Sequence, residues 1–243
     1  QGIEPKQILA LTFTNKAANE MKHRVKELAG PAAKDLTVST FHAFGLAVLR
    51  RYFRAVGLRE NFTIYDTADQ VALLKETARE EGLPPEEIQL SDLIAIFSKI
   101  KTGRTPLSTL SEEYQRLYRS YQSHLRLYNA VDFDDLIVEP ARLLQENEKA
   151  RAHYQDRFSY IMVDEFQDTS ANQYTFLHSL AQKQRNVCVV GDDDQSIYSW
   201  RGANYTNLVN FERDYPERLV VKLEQNYRST GTILQAANQL IAN

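Results

Sequence analysis

The sequence predicts an α/β protein: a parallel sheet flanked by helices, with an all-helical subdomain inserted into it. Short apolar runs at 7–13, 36–40, 160–164, 187–191 and 219–223 end in polar residues, as buried parallel strands do. The first two alternate with helical patterns, a βαβα opening that lays helices over both faces of a parallel sheet. Between about residues 57 and 130 no strong strand appears and helical periodicity takes over.

Each element has a local reason. Residues 7–13 read QILALTF, and Thr14 stands where an N-cap belongs. Ala17, Met21, Val25 and Leu28 then recur at helical spacing until Gly30-Pro31 stops the helix. A strand at 36–40 and a helix at 41–56 follow. Residues 69–81, 91–101 and 111–128 are amphipathic helices, separated by Gly82-Leu-Pro-Pro85 and Gly103-Arg-Thr-Pro106. Asp132 opens a helix over 132–146, where an acid suits the helix dipole. A last helix spans 230–242.

Composition narrows the function classes. The 243 residues are 43% hydrophobic and 25% charged, enough for one large domain or two smaller ones. A net charge of −3 confines any contact with nucleic acid to a local stripe. A single cysteine, Cys188, lies in an apolar strand run and excludes an intramolecular disulfide framework. No apolar run approaches the ~20 residues of a membrane span and no signal peptide is visible, so a cytoplasmic protein without a membrane partner is expected. The first residue is Gln, which favours a piece of something longer.

The chemistry gathers at strand ends. YIMVDEFQD (160–168) and VCVVGDDDQS (187–196) each pass abruptly from an apolar run to acids and amides. In open α/β sheets ligands collect outside the carboxyl ends of strands. Asp164, Glu165, Asp168, Asp192, Asp193 and Gln195 therefore line one crevice edge. Carboxylates gathered there repel one another unless a cation holds them, which points to a magnesium-dependent phosphate site. One such end alone equally well caps the helix that follows. Two, each with a nearby Gln, favour chemistry.

Aromatic and basic residues adjoin these ends. SIYSWRGA (196–203) carries Tyr198, Trp200 and Arg201. Either Trp200 is a core residue with an Arg stacked on it, or the loop is a platform for unpaired bases, whose π faces stack on aromatic rings whatever their identity. Thr12, Phe13 and Asn15, like Thr40 and His42, offer strand-end hydroxyls, an aromatic ring and polar tips suited to phosphodiester oxygens. His42 is equally a satisfied structural histidine. In LEQNYRST (223–230), Tyr227 suits stacking on a base and Arg228 suits a bidentate phosphate contact, or else a surface salt bridge. Asp134 and Asp135 supply acids near the metal, or serve only the helix they open.

Together these segments resemble the UvrD/Rep family of superfamily 1 DNA helicases. The resemblance runs from LTFTNKAANEM through VSTFH, DFDDLI, VDEFQDT and GDDDQSIYSWRGA to LEQNYRST, essentially the whole chain. It implies a RecA-like core at 1–56, a helical insertion at 57–130, the rest of that core at 131–222, and the start of a second RecA-like core at 223–243. It implies ATP and Mg2+, with Asp164 holding the metal and Glu165 deprotonating the attacking water. Gln195 then senses the γ-phosphate, Arg228 acts as an arginine finger and Tyr227 lies beside the adenine. Phe13, Tyr198, Trp200 and Arg201 fall along a single-strand track, with Thr12, Thr40 and His42 near its backbone. The implied partners are single-stranded DNA, single/double-strand junctions, and replication or repair proteins.

One departure matters. No G-x-x-x-x-G-K-[ST] loop occurs in these residues. The sequence thus reads as part of an ATP-driven 3′–5′ translocase and helicase, inactive as a separate piece. The competing readings are a single-strand-binding module that has lost its ATPase, and a magnesium nuclease built on the clustered acids. In the nuclease, the Gln, Trp and Arg companions have no role.

Overall fold

The computed structural model describes residues 2–196, 198, 202–204 and 206–241. The chain runs β1 (Ile8–Thr12), α1 (Asn15–Ala29), β2 (Thr37–Thr40), α2 (Phe41–Tyr52) and β3 (Thr63–Ile64). Then come α3 (Thr67–Glu80), α4 (Leu90–Lys101), α5 (Glu112–Leu127) and β4 (Ala130–Val131). It continues through α6 (Asp135–Glu146), α7 (Glu148–Arg157), β5 (Tyr160–Val163) and α8 (Ala171–Ala181), and ends with β6 (Val187–Val189), α9 (Thr206–Asp214) and α10 (Gly231–Ile241). Among the described residues, four strands form one parallel sheet in the order β2-β1-β5-β6.

Register decides what the sheet buries. Leu9 pairs with Ile161 and Leu11 with Val163, which in turn pair with Val187 and Val189. Those side chains share one face, because side chains alternate along a strand. That face carries the main core, with Phe41, Phe44 and Val48 of α2, Leu136 and Leu143 of α6, and Phe176 and Leu177 of α8. Gly45 makes the α2–α6 crossing possible: a Cβ there would sit 1.8 Å from the Leu136 carbonyl oxygen.

The opposite face is only half covered. Ala10 and Val38 lie under Ala18 and Met21 of α1. On the same face Tyr160, Met162 and Val190 are 37%, 47% and 46% exposed, and Cys188 is exposed rather than interior. The expected helical cover on both faces therefore holds over β1 and β2 but not over β5 and β6. The apolar run could not reveal this, since it reads the same with either face open.

The expected strand at 219–223 is absent. Leu219, Val220, Val221 and Leu223 are 88%, 66%, 71% and 84% exposed, in irregular backbone. A strand needs a ladder partner, and among the described residues none lies beside this run. Three helices were not foreseen, α7, α8 and α9.

The helical insertion has its own core of Leu73, Leu74, Phe97, Leu117, Tyr121 and Leu125. Its two ends enter and leave side by side, as β3 pairs in parallel with β4 (Thr63 with Ala130, Ile64 with Val131). Leu58 and Phe62 belong to the main core, so by packing the helical unit begins past Ile64. It is clasped to the core by a buried ion triad. Lys101 Nζ lies 2.6 Å from Asp132 Oδ2 and 3.0 Å from Asp135 Oδ1, all three side chains being 10% exposed or less. The two acids also cap each other's backbone, Asp132 N donating to Asp135 Oδ2 and Asp135 N to Asp132 Oδ1. Among the described residues, no helix is long and apolar enough to cross a membrane.

Candidate functional site

The carboxyl end of β5 turns sharply at Glu165, whose φ of 52° and ψ of 44° are left-handed. A glutamate gains nothing locally from that conformation, which costs on the order of 1–3 kcal/mol. Its surroundings impose it. Asp164 N donates to Leu11 O, Phe166 N to Val190 O, and Asp168 N to Glu165 O, each at 2.9 Å. The exposed Glu165 carboxylate is thereby held at the strand end, beside Asp164.

Gln167, noted in the sequence only as a Gln near the acids and given no role there, joins the two strand ends. Its Nε2 donates to Glu165 Oε2 at 2.8 Å, and its Oε1 accepts from Asp192 N at 3.1 Å. Asp192 Oδ2 then accepts from Gln195 Nε2 at 2.8 Å. A continuous hydrogen-bonded line thus runs from Glu165 to Gln195. An amide can donate to an acid and accept from an N–H at once, and the single amide between two acids at 165–168 was the available signal. Gly191 leaves room for it, since a Cβ there would lie 2.8 Å from Gln167 Oε1 and 3.3 Å from Gln167 N. Gly191→Ala is expected to displace Gln167 and cost about 1–3 kcal/mol by overpacking. An unchanged thermal melting midpoint would show that the amide swings aside freely.

Among the described residues, no three His, Cys, Asp or Glu side chains converge as a metal-holding group. Asp192 is committed to its own turn, accepting also from Asp194 N. Asp168 is buried and its Oδ1 has no hydrogen-bond partner among the described residues. Burial first, and the Glu165 charge second, hold both Asp164 and Asp168 above the usual carboxylate range. Asp164 is only half-buried and Glu165 N donates to its Oδ1, so a hard cation fits this donor set. Mg2+ takes one or two protein carboxylates and completes its shell from phosphates and water.

Phe13 and Tyr198 come together, their rings stacked with centroids 5.9 Å apart and planes 18° from parallel. Beside them opens a cleft of about 700 Å³ between the sheet ends and the helical insertion. Phe13, His42, Asp134, Asp168, Lys99 and Arg104 contribute to its wall. His42 is exposed, yet the protein around it desolvates the ring enough to hold its pKa below the ordinary value. Burial first, and the charge of Asp132 second, raise that of Asp134.

Other expected positions differ. Thr12 is fully buried as the last residue of a central strand, so its hydroxyl faces the interior and does not suit a phosphodiester on the surface. The Thr40 hydroxyl is engaged in capping α2, accepting from Ala43 N at 3.2 Å. Asn15 is exposed at the start of α1, which Thr14 caps as expected. Asp135 is held by Lys101 in the buried ion triad. Tyr227 is 92% exposed and Arg228 is also exposed. Their segment is shaped locally by Asn226 Oδ1, which accepts from Arg228 N and Ser229 N. Trp200 and Arg201 lie outside the described residues.

Residues 1–216 match the UvrD/REP helicase N-terminal domain. The chain is 46% identical to the ATP-dependent DNA helicase Rep of Escherichia coli over 252 aligned residues, covering 100% of this chain and 37% of Rep. It is 43% identical to the ATP-dependent DNA helicase PcrA of Bacillus subtilis, covering 99% of this chain and 34% of PcrA. The PcrA of Staphylococcus aureus gives 44% identity over the same shares. The chain therefore spans about a third of the length of the curated relatives it matches. From β1 to α9, along the matched stretch, it belongs to the UvrD/REP helicase family.

Proposed function

We propose that this chain is the part of an ATP-dependent DNA helicase that joins the hydrolytic strand end to the single-strand track. The observation that carries the reading is the line Glu165–Gln167–Asp192–Gln195, which continues in sequence into Tyr198 on Phe13. Change at the phosphate end then reaches the DNA end through hydrogen bonds as far as Gln195, and through the chain itself from Gln195 to Tyr198.

In this reading Glu165 orients the attacking water and accepts its proton, held in place by Gln167. Asp164 holds Mg2+, which when bound offsets the negative charge of the transferring phosphoryl. Gln195 faces the γ-phosphate, Arg228 supplies positive charge to the same group and Tyr227 flanks the adenine, once 223–230 is drawn to the site. Phe13, Tyr198, Trp200 and Arg201 grip the bases of single-stranded DNA, with His42 and Asn15 beside its backbone. Movement is 3′ to 5′ and unwinds duplex at single/double-strand junctions. Replication or repair proteins in the cytoplasm are the partners.

Since the sequence contains no G-x-x-x-x-G-K-[ST] loop, the chain alone is expected to bind ATP weakly and to show no turnover. DNA-stimulated phosphate release by the 243-residue chain would overturn that. Single-strand affinity is tested on the chain itself with a fluorescent oligo(dT). Phe13→Ala is expected to weaken it by about 1–3 kcal/mol, the value of one base stack. The fall of affinity with salt should be shallow, because few phosphates are contacted. Equal affinity of native and Phe13→Ala chains would remove Phe13 from the track.

A further inference from the structure

Gly202, in the loop that follows Gln195, has a φ of +97°. A Cβ built there would lie 3.2–3.3 Å from Nη1, Cδ and Cζ of Arg104. The Arg104 guanidinium, carried by the helical insertion, thus lies against the backbone of that loop. It is itself held: Nε donates to Thr102 Oγ1 at 3.0 Å, and Thr102 Oγ1 donates to Ser98 O at 2.6 Å. The Thr102 carbonyl accepts from Asn172 Nδ2 of α8 at 2.9 Å, tying the same corner to the core.

On the other side of Gly202 the loop is tied to both halves of the site. Ala203 N donates to Tyr198 O at 3.2 Å, and the Tyr198 ring stacks on Phe13. Ala203 also bridges antiparallel to Ser170, and Asn204 N donates to Thr169 O at 3.0 Å. Arg104 is therefore a point, among the described residues, at which the helical insertion meets Gly202. Gly suits the turn because it adopts positive φ without cost and admits a side chain against its backbone. Arginine suits the partner position because its guanidinium is planar.

We propose that Arg104 is a positioning residue for single-strand binding. By supporting the Gly202 turn it keeps Tyr198 on Phe13, and it couples the placement of the helical insertion to the grip on DNA. The inference rests on the reading of Phe13 and Tyr198 as part of the single-strand track.

The test is titration of labelled oligo(dT) with the native chain, Arg104→Ala and Arg104→Lys across a range of salt, with melting curves to verify folding. Both variants are expected to bind roughly five- to tenfold more weakly, a part of one base stack, with the salt slope of the native chain. Lysine keeps the charge but lacks the planar group. Native affinity in Arg104→Lys, or a slope reduced by about 0.7 in Arg104→Ala, would make Arg104 a direct phosphate contact and overturn the proposal. So would native affinity in Arg104→Ala while the native chain binds. Absence of binding by the native chain would instead remove the track reading, and this inference with it.

Discussion

Glu165→Gln in the intact protein is expected to leave ATP binding near native and to lower single-strand-stimulated turnover by about 10²–10⁴-fold, the usual contribution of a positioned general base. The substitution is a clean one here. Gln167 Nε2 donates to Glu165 Oε2, and a glutamine carbonyl accepts the same hydrogen bond. The left-handed turn at residue 165 is set by backbone hydrogen bonds from Phe166 and Asp168, which do not depend on the side chain's charge. What disappears is the ability to take a proton. Steady-state phosphate release and equilibrium ATP binding separate the two effects, and native turnover would remove Glu165 from the role of base.

Lys101→Met is expected to destabilise the chain by about 3–5 kcal/mol, because it strands buried carboxylates without their partner. Asp132 and Asp135 are 4% and 7% exposed, so water cannot take over from the ammonium. In the native chain burial opposes the Lys101 charge, yet the Asp135 and Asp132 carboxylates hold it above its ordinary pKa. Burial likewise raises Asp135 above the usual carboxylate range, against the pull of Lys101. Without the lysine that rise grows. A carboxyl whose folded pKa exceeds its unfolded one binds more protons when folded, so stability falls as pH climbs from the ordinary carboxylate range towards the raised value. Urea unfolding of Lys101→Met should therefore show a smaller loss near about pH 5 than near about pH 8. A loss that is small and independent of pH would show that the triad does not hold the insertion to the core.

Much of this molecule is legible in its residues because the signals are local. The runs that became β1 and β5 are bounded by polar residues on both sides, Thr14 caps α1, and the three insertion helices follow their apolar spacing. The acids at 164–165 stand where a parallel sheet ends, and the structure keeps them there. What escaped depends on partners distant in sequence. Asp135 looked like a site acid until Lys101, on another helix, claimed it. Thr12 sits on a central strand between two neighbours, so its hydroxyl is interior although its sequence neighbour Phe13 reaches the cleft. Residues 219–223 have strand-forming side chains but no ladder partner among the described residues, and apolar composition cannot supply one. The bridging role of Gln167, and Arg104 altogether, were hidden for a related reason. Each acts by spanning two segments, Gln167 between Glu165 and Asp192 and Arg104 between the insertion and Gly202.

The line from Glu165 to Gln195 and on to Tyr198 has value only if hydrolysis and strand binding are coupled. Its most direct test is ATP turnover by the intact protein with and without saturating oligo(dT), alongside Gln167→Leu. That variant approximately conserves volume but can neither donate to Glu165 nor accept from Asp192. The expected result is strong stimulation of the native protein by single strands, and loss of most of that stimulation in Gln167→Leu while oligo(dT) affinity persists. Turnover that is unaffected by single strands in the native protein, or stimulation that survives intact in Gln167→Leu, would contradict the coupling.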